Sequence, residues 1–239
     1  MSMDDYQYLP LTPGYFAILV ILYFIVVVVL ISTVRYAYLS LGVSSTTAML
    51  LLFGSLVGSY FNITVAHLPP EHVLSDQIRG YFGMYWVVPH VRSYPGTAIA
   101  VNVGGAVIPT IMSLYLMLTR RLWVRGSIAT AIVAVVLHWL AHPVAGVGIA
   151  VPIFVPALVT ALVALVLAGD NAAPLAYIAG SMGTLIGADL TNLSLVRGLG
   201  APVASIGGAG TFDGIFLTGI LAVLLASLYH PRHSVPQAQ

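Results

Sequence analysis

The sequence predicts an all-α fold, a polytopic membrane helix bundle with about seven transmembrane helices. Hydrophobic residues make up 59% of the 239 residues and charged residues 6%, with a mean hydropathy of +1.01. This composition is too apolar for a soluble domain, whose surface must be wetted by water. The apolar residues occur in runs of about 20, the length that crosses a hydrocarbon core roughly 30 Å thick. We therefore predict a single transmembrane domain, 1–239, without a large soluble part.

The residues that flank each apolar run set the boundaries of the predicted spans. The first run follows Asp4 and Asp5 instead of a basic segment, so we interpret it as a retained span and not as a signal peptide. The boundaries that follow it are Arg35, the long connection 67–96, "RRLWVR", Pro143, Asp170 and the glycine run at 207–210. The predicted spans are 14–34, 44–66, 97–118, 126–142, 150–168, 173–195 and 210–229.

The connection 67–96 is the only long one, and it mixes charges, aromatic residues and prolines. We expect it to be a long interfacial loop, because Trp and Tyr favour the membrane–water boundary. The alternative is that its "GYFGMYWVVPHV" part forms a short strand pair.

Every basic residue is Arg, so the predicted orientation follows from counting them. Arg35, Arg120, Arg121, Arg125 and Arg232 fall on one side, and Arg79, Arg92 and Arg197 on the other. The positive-inside rule then places the N-terminus outside and the C-terminus in the cytoplasm. We expect an integral protein of a prokaryotic plasma membrane.

Two acidic residues lie inside predicted spans. Asp189 falls near the end of the sixth span and Asp213 near the start of the seventh. An ionised carboxylate costs roughly 2.5–3.5 kcal/mol at the centre of a span, so such residues usually face a bundle interior or a wet cavity. At about 1.5 Å of rise per residue, both would lie at similar depth below the outer surface. We predict that they meet between adjacent antiparallel helices.

Small residues favour such a meeting. Gly183 and Gly187 form a G-x-x-x-G pattern on the sixth span, and Gly210 and Gly214 form another on the seventh, which permits the backbones to approach. Two carboxylates that share a site do not both ionise easily, so the pair would hold one proton. That is the arrangement with which aspartic proteases activate water. The alternative is structural: a helix cap at Asp213, and Asp189 bonded to Thr191, Asn192 or a neighbouring helix.

The motif "GADLTNL" around Asp189 and the motif "GAGTFDGIF", with Gly208, Gly210 and Asp213, resemble those of the intramembrane aspartyl proteases, the class of presenilin and signal peptide peptidase. The family has a tyrosine before its first aspartate and Gly-x-Gly-Asp at its second. Here Ala188 stands in the first position, and two residues separate Gly210 from Asp213. The family's Pro-Ala-Leu tripeptide occurs at Pro156, Ala157 and Leu158, upstream of both acids instead of downstream. The whole chain also resembles an uncharacterised family of small prokaryotic multispan proteins.

This resemblance implies catalysis by Asp189 and Asp213 and a place for the Pro-Ala-Leu tripeptide near the active site. We expect Gly208, Gly210 and the residues at Pro156 to bind an unwound substrate through its main chain. Asn102, a polar residue in the third span, would bond the acids or the substrate backbone, or make an ordinary interhelical bond.

A metal site is the alternative use of the same acids. His138 and His142 are spaced i, i+4 on the fourth span, and with Asp189 and Asp213 they would complete four ligands. The other interpretation is that both histidines reach water at the interface. We favour no metal and expect no cofactor. The chain has no Cys, which excludes thiol nucleophiles and thiolate ligands.

Three functions remain open from the sequence. The first is an aspartyl hydrolase that cleaves transmembrane or membrane-surface peptides. The second is a proton- or cation-coupled transporter that uses the same acids. The third is a non-catalytic membrane scaffold. The partners we expect are membrane lipids and a peptide substrate, and no nucleic acid.

Overall fold

The computed structural model describes residues 13–81, 84–94, 96–144, 148–152, 154–168, 171–196, 202–208 and 214–229. In this part the chain is mostly helical, which confirms the predominance of helices. The seven α-helices are α1 (Pro13–Ser40), α2 (Ser45–Gly58), α3 (Ile108–Thr119), α4 (Trp123–Leu140), α5 (Val155–Ala168), α6 (Ala172–Thr184) and α7 (Gly214–Tyr229).

Among the described residues, two helices are long and apolar enough to cross a membrane by length and composition. They are α1, from Gly14, with a mean hydropathy of 3.1, and α4, with 1.5. The apolar side chains of α1 are largely exposed, as in a helix that faces lipid or a partner. Seven membrane spans stay a prediction.

Strands occupy parts of the chain that the sequence predicts as helix. Strands β1 (Asn62–His67), β4 (Ala98–Asn102) and β7 (Val203–Ile206) form one sheet in the order β1-β4-β7, with β4 antiparallel to β1 and parallel to β7. The helical prediction is therefore wrong at the end of the run 44–66 and at the start of the run 97–118. Short apolar runs rich in β-branched residues suit a strand as well as a helix, and hydropathy alone does not separate the two.

The connection 67–96 forms a hairpin. Strands β2 (Glu71–Tyr81) and β3 (Met84–Tyr94) pair antiparallel, with Tyr81 opposite Met84. Only two residues separate the strands, a length typical of tight hairpins. The loop interpretation is thus wrong for this segment and the strand-pair alternative is correct, although an interfacial position stays a prediction.

A shorter hairpin lies where the fourth predicted span ends and the fifth begins. Strand β5 (His142–Val144) pairs with β6 (Gly148–Ala150) between α4 and α5. The fourth predicted helix therefore ends at Leu140, and the fifth begins only at Val155.

Helix α6 lies at the centre of the bundle and continues, through a π-helical turn and a 3₁₀ segment, as far as Val196. Its residues from Pro174 to Ser181 are buried without exception. A side chain at Gly183 would come within 2.6 Å of Val133 on α4, and a Cβ at Gly180 within 3.1 Å of the Gly219 Cα on α7. The Gly183/Gly187 pattern therefore packs against α4, and not against the seventh span as predicted. The close α6–α7 contact is made by Gly180 and Gly219.

We expect Gly187→Ala to lower the free energy of unfolding by roughly 1–3 kcal/mol. A Cβ at Gly187 would overlap the backbone of Ala134, including its carbonyl oxygen, which has no side-chain freedom with which to yield. The measurement is thermal unfolding of the purified protein in detergent. The control is Gly54→Ala in α2, where the new Cβ would lie at an ordinary 3.6 Å from Ile108. Equal stability of the two variants would contradict the packing of α6 on α4.

Candidate functional site

Two helices lose regular α-helical hydrogen bonding beside the turn that follows β7. A π-helical segment, π1, occupies Val103–Val107 ahead of α3, and a second, π2, occupies Leu185–Asp189 after α6. Single π-helical turns are rare and are frequently found at functional sites. The turn after β7 lies between them, because Gly207 packs against Ala106 of π1 and bonds Asp189 of π2. We define these three segments as the candidate site.

Asp189 is the last residue of π2, and its side chain is partly buried. Its Oδ2 accepts a hydrogen bond of 2.8 Å from the backbone N–H of Gly207. Among the described residues, Oδ1 has no hydrogen-bond partner. The backbone donor offsets part of the cost of moving the carboxyl group out of water and fixes its orientation. As far as the described residues go, Oδ1 is therefore open to a water molecule or a second acid.

The turn that supplies this donor requires glycine. Gly207 and Gly208 have φ angles of +89° and +79°, in the left-handed region that other residues seldom adopt. A Cβ at Gly207 would also lie 2.7 Å from the Ala106 backbone nitrogen. Gly208, predicted to bind substrate, thus lies directly beside the donor to Asp189.

Asn102 is fully buried at the end of β4. Its Oδ1 accepts from the Gly105 N–H at 2.8 Å and caps π1, while its Nδ2 donates to Ser59 O at 2.8 Å and to Asn62 Oδ1 at 3.1 Å. Both amide hydrogens are used within the protein. The sequence predicts Asn102 in a helical span, but it ends strand β4, and its bonds join that strand to β1, to the residue after α2 and to π1. This geometry fits a role in holding the site, and contact with a substrate stays a prediction.

Ser205 connects this network to the glycine turn. Its hydroxyl lies 2.6 Å from Asn62 Oδ1 and 2.7 Å from the Gly208 carbonyl oxygen. Strands β1, β4 and β7 are thereby joined by side chains as well as by their ladder. The turn at Gly207 is held from one side by this network and from the other by Asp189.

Side chains just after Asp189 satisfy the carbonyl groups that the change from π to 3₁₀ geometry displaces. Asn192 donates to Gly187 O at 2.9 Å and to Ala188 O at 3.0 Å, and Thr191 Oγ1 donates to Gly187 O at 2.8 Å. The structural alternative is that Asp189 bonds Thr191, Asn192 or a neighbouring helix. The described hydrogen bonds of these residues instead leave the Asp189 carboxyl group to Gly207.

The two histidines do not share a helix face. His138 is in the last turn of α4, whereas His142 begins β5, and both are exposed. His138 Nδ1 lies within hydrogen-bond distance of Thr191 Oγ1, at 2.9 Å. In the part of the chain that the structure describes, no three His, Cys, Asp or Glu side chains are grouped as metal ligands. The i, i+4 face needed by the metal alternative is therefore absent.

The Pro-Ala-Leu tripeptide forms the first turn of α5. Pro156 and Ala157 are buried, while Leu158 is 54% exposed. Thr160, one turn further, approaches Gly180 of α6. The tripeptide therefore belongs to the packing of α5 on α6, and direct substrate contact by it stays a prediction.

Asp213 and Gly210 lie outside the described residues, so the distance between the two predicted catalytic carboxyl groups is not defined. Asp213 directly precedes Gly214, the first residue of α7. The part of the predicted site that the structure does describe is Asp189, Gly208 and the supporting Asn102.

The profile of a family described as "Protein of unknown function (DUF1614)" matches residues 56–225. The chain belongs to this family. The DUF1614 match includes both π segments, the three-stranded sheet and the glycine turn, and it begins after α1. No curated protein matches the chain, and no solved structure matches it.

Sequence reasoning did not identify Asn62 and Ser205 as members of the site. A signal for their neighbourhood is the similarity of "VGGA" at 103–106 to "IGGA" at 206–209. The first motif follows β4 and the second includes the end of β7, two parallel strands that pair directly. The polar residues at the ends of such strands are close in space because the strands are neighbours.

We expect Asn102→Ala to lower the free energy of unfolding by roughly 2–4 kcal/mol, because it leaves the partly buried Ser59 carbonyl group and the buried Gly105 N–H without these partners. Thermal unfolding in detergent measures the loss. The control is Thr119→Ala, which removes an exposed hydroxyl bonded within its own helix, and we expect it to have little effect. A change as small as that of the control would contradict the supporting role of Asn102.

Proposed function

We propose that the protein is an integral membrane aspartyl peptidase in which Asp189 and Asp213 form the catalytic pair. The observation that carries the proposal is the bond between the Asp189 carboxyl group and Gly207, at the end of strand β7. It links a partly buried acid to a backbone edge that suits an extended peptide. The resemblance of the motifs at Asp189 and Asp213 to those of intramembrane aspartyl proteases supports the same assignment.

The position of Asp213 in the chain is compatible with pairing. It is the sixth residue after Gly207, a distance of at most about 22 Å in a fully extended chain. It also directly precedes α7, which packs against α6 at Gly180 and Gly219. We propose that the Asp213 carboxyl group approaches the open Oδ1 of Asp189.

Such a pair would hydrolyse a peptide bond by general acid–base catalysis. The ionised carboxyl group takes a proton from water as the water oxygen bonds to the carbonyl carbon, and the protonated partner gives its proton to the carbonyl oxygen. The tetrahedral intermediate then collapses with cleavage of the C–N bond: the carboxyl group that took the proton of water gives it to the leaving amine, and the other, now ionised, takes a proton from a diol hydroxyl, which restores the pair. The Gly207 N–H would orient Asp189 throughout, because it bonds Oδ2 and not Oδ1.

Strand β7 supports the binding of an extended substrate. It is an edge of the β1-β4-β7 sheet among the described residues. Main-chain groups of a parallel strand alternate between its two sides, and Pro202 O accepts from Ala98 N on β4, so the groups of Val203 point away from β4. A peptide added at this edge would run towards Gly207 and Asp189.

The arginine distribution supports the proposed membrane orientation. Arg35 Nη2 bonds Ser45 Oγ at 2.7 Å, and Arg120 Nη2 bonds Leu41 O at 3.1 Å, so both arginines lie at the turn between α1 and α2. Asp189 belongs to the opposite end of α3 and α4, near π1 and His138. We propose that the arginine end is cytoplasmic and the acid end lies near the outer surface, with about seven spans.

We expect Asp189→Asn and Asp213→Asn each to reduce peptide cleavage by at least about 10³-fold, because an amide neither accepts the proton of water nor donates an acidic one. Cleavage of membrane-embedded peptides in proteoliposomes measures the effect. The matched control is Asp76→Asn in β2, which makes the same chemical change outside the site and should leave cleavage unchanged. Full activity of either site variant, in folded protein, would remove the proposed mechanism.

We expect Val203→Pro to raise the KM for an extended peptide substrate about tenfold, because proline removes a main-chain donor from the free edge of β7. The control is Val203→Ala, which shortens the same side chain and keeps its N–H. The comparison of KM and kcat separates substrate binding from chemistry. An equal KM for the two variants would exclude strand addition at this edge.

Cation-coupled transport is the second candidate, and one specific observation favours it. The polar groups of Asn62, Asn102 and Asp189 lie beside two helices interrupted by π turns, as the ion sites of transporters lie at broken helices. Proton or cation flux into proteoliposomes that is lost in Asp189→Asn, without any peptide cleavage by wild-type protein, would support transport over hydrolysis.

A further inference from the structure

A cavity of about 630 Å³ lies between the α1–α2 turn, α2 and α3. One part of its wall is apolar and largely open to the surroundings: Leu50 is 69% exposed and Ile111 61%. The apolar residues that line it are Val43, Leu50, Leu51, Ile108, Ile111, Met112 and Tyr115. Its volume is in the range of pockets that bind small molecules.

The other end of the cavity is polar and electropositive. Gly42, Ser44 and Thr47 line it, and Ser44 caps the first turn of α2 by accepting from the Thr47 N–H at 3.1 Å. The positive end of the α2 dipole is therefore at this end. Gly42, with a φ of +81°, has no Cβ and leaves the space that the Arg120 guanidinium occupies.

Two arginines bond residues that adjoin the lining of this polar end, and both bond neutral oxygens. Arg35 donates to Ser45 Oγ, next to Ser44, and Arg120 donates to Leu41 O, next to Gly42. The sequence contains no Asp or Glu from residue 6 to 70 or from 77 to 169, so α1, α2, α3 and α4 carry none. The elements that form the cavity therefore supply positive charge without an acidic counter-ion.

We propose that this cavity binds an anionic phospholipid, with its phosphate at Arg35, Arg120 and the first turn of α2 and an acyl chain along the apolar wall. Charge complementarity selects an anionic headgroup, and the continuous apolar wall selects a lipid over a free anion. The site is at the proposed cytoplasmic end of the bundle, away from Asp189. The inference rests on the proposed membrane location and not on peptidase activity.

The test is native mass spectrometry of the full chain in detergent, with phosphatidylglycerol or phosphatidylcholine added stepwise. We expect wild-type protein to bind phosphatidylglycerol about tenfold more tightly than phosphatidylcholine, and the double variant Arg35→Gln, Arg120→Gln to lose most of this preference. The matched control is Arg125→Gln, which removes an exposed arginine of α4 and should keep the preference. Equal losses in the double variant and the control would overturn the site.

A second variant tests the apolar wall without changing charge. Ile111→Trp fills the cavity from an exposed position and touches neither arginine, so it should weaken phosphatidylglycerol binding about tenfold while inorganic phosphate at millimolar concentration should not compete. It also keeps the proposal testable if the double arginine variant does not fold. Competition by inorganic phosphate would show that the cavity is an anion site only. A dimer that forms without lipid and is lost in Ile111→Trp would show that a second copy of the chain occupies the cavity. Either outcome would contradict the proposal.

Extraction of the membranes with alkaline carbonate separates this proposal from the proposed function. Protein that stays in the membrane and shows no preference for phosphatidylglycerol would overturn the lipid site alone. Protein that is released would overturn the membrane location on which both proposals rest.

Discussion

The backbone contacts of α6 are the constraint on which the bundle depends. At Gly187 this helix touches the Ala134 backbone of α4, at Gly183 it receives the Val133 side chain of α4, and at Gly180 it meets the Gly219 backbone of α7. Such close approach gives extensive dispersion contact at positions where glycine costs helical stability. Because α6 is held on both sides, its continuation through π2 has a defined position. Asp189, at the end of π2, is thereby placed against the turn after β7.

Interrupted helices create a second requirement, since each displaced backbone group needs a partner when it is buried. Asn102 satisfies the start of π1, and Thr191 with Asn192 satisfies the end of π2. The side chains that would otherwise compete for Asp189 are used in this way. The carboxyl group is consequently oriented by one backbone donor, with its second oxygen available for chemistry. The backbone groups around Asp189 thus have hydrogen-bond partners, whereas its carboxyl group has one partner among the described residues. This arrangement is expected of a site that binds or activates another molecule.

The two ends of the bundle differ in charge and in chemistry. The acid end contains Asp189, the glycine turn and the edge strand β7, whereas the opposite end contains Arg35 and Arg120 beside an apolar cavity. This polarity agrees with one orientation in a membrane, because cationic side chains favour the cytoplasmic face. It also separates the proposed lipid site from the proposed peptidase site, so that each can be altered without removing groups of the other.

The sequence by itself determined that helices predominate and that an acid, Asp189, lies within an apolar run. It could do so because composition, run length and the position of an acid in an apolar run are local properties. It did not determine β1, β4 and the β2–β3 hairpin, because short β-branched runs suit strands and helices alike. It also paired the wrong glycines, since G-x-x-x-G spacing shows that a backbone can be approached but not by which neighbour. Only the tertiary structure decided that Asn102 bonds Asn62, 40 residues away, and that Asp189 bonds Gly207, 18 residues away. Such partners are chosen by how the helices and strands pack, a long-range property that no local pattern in this chain encodes.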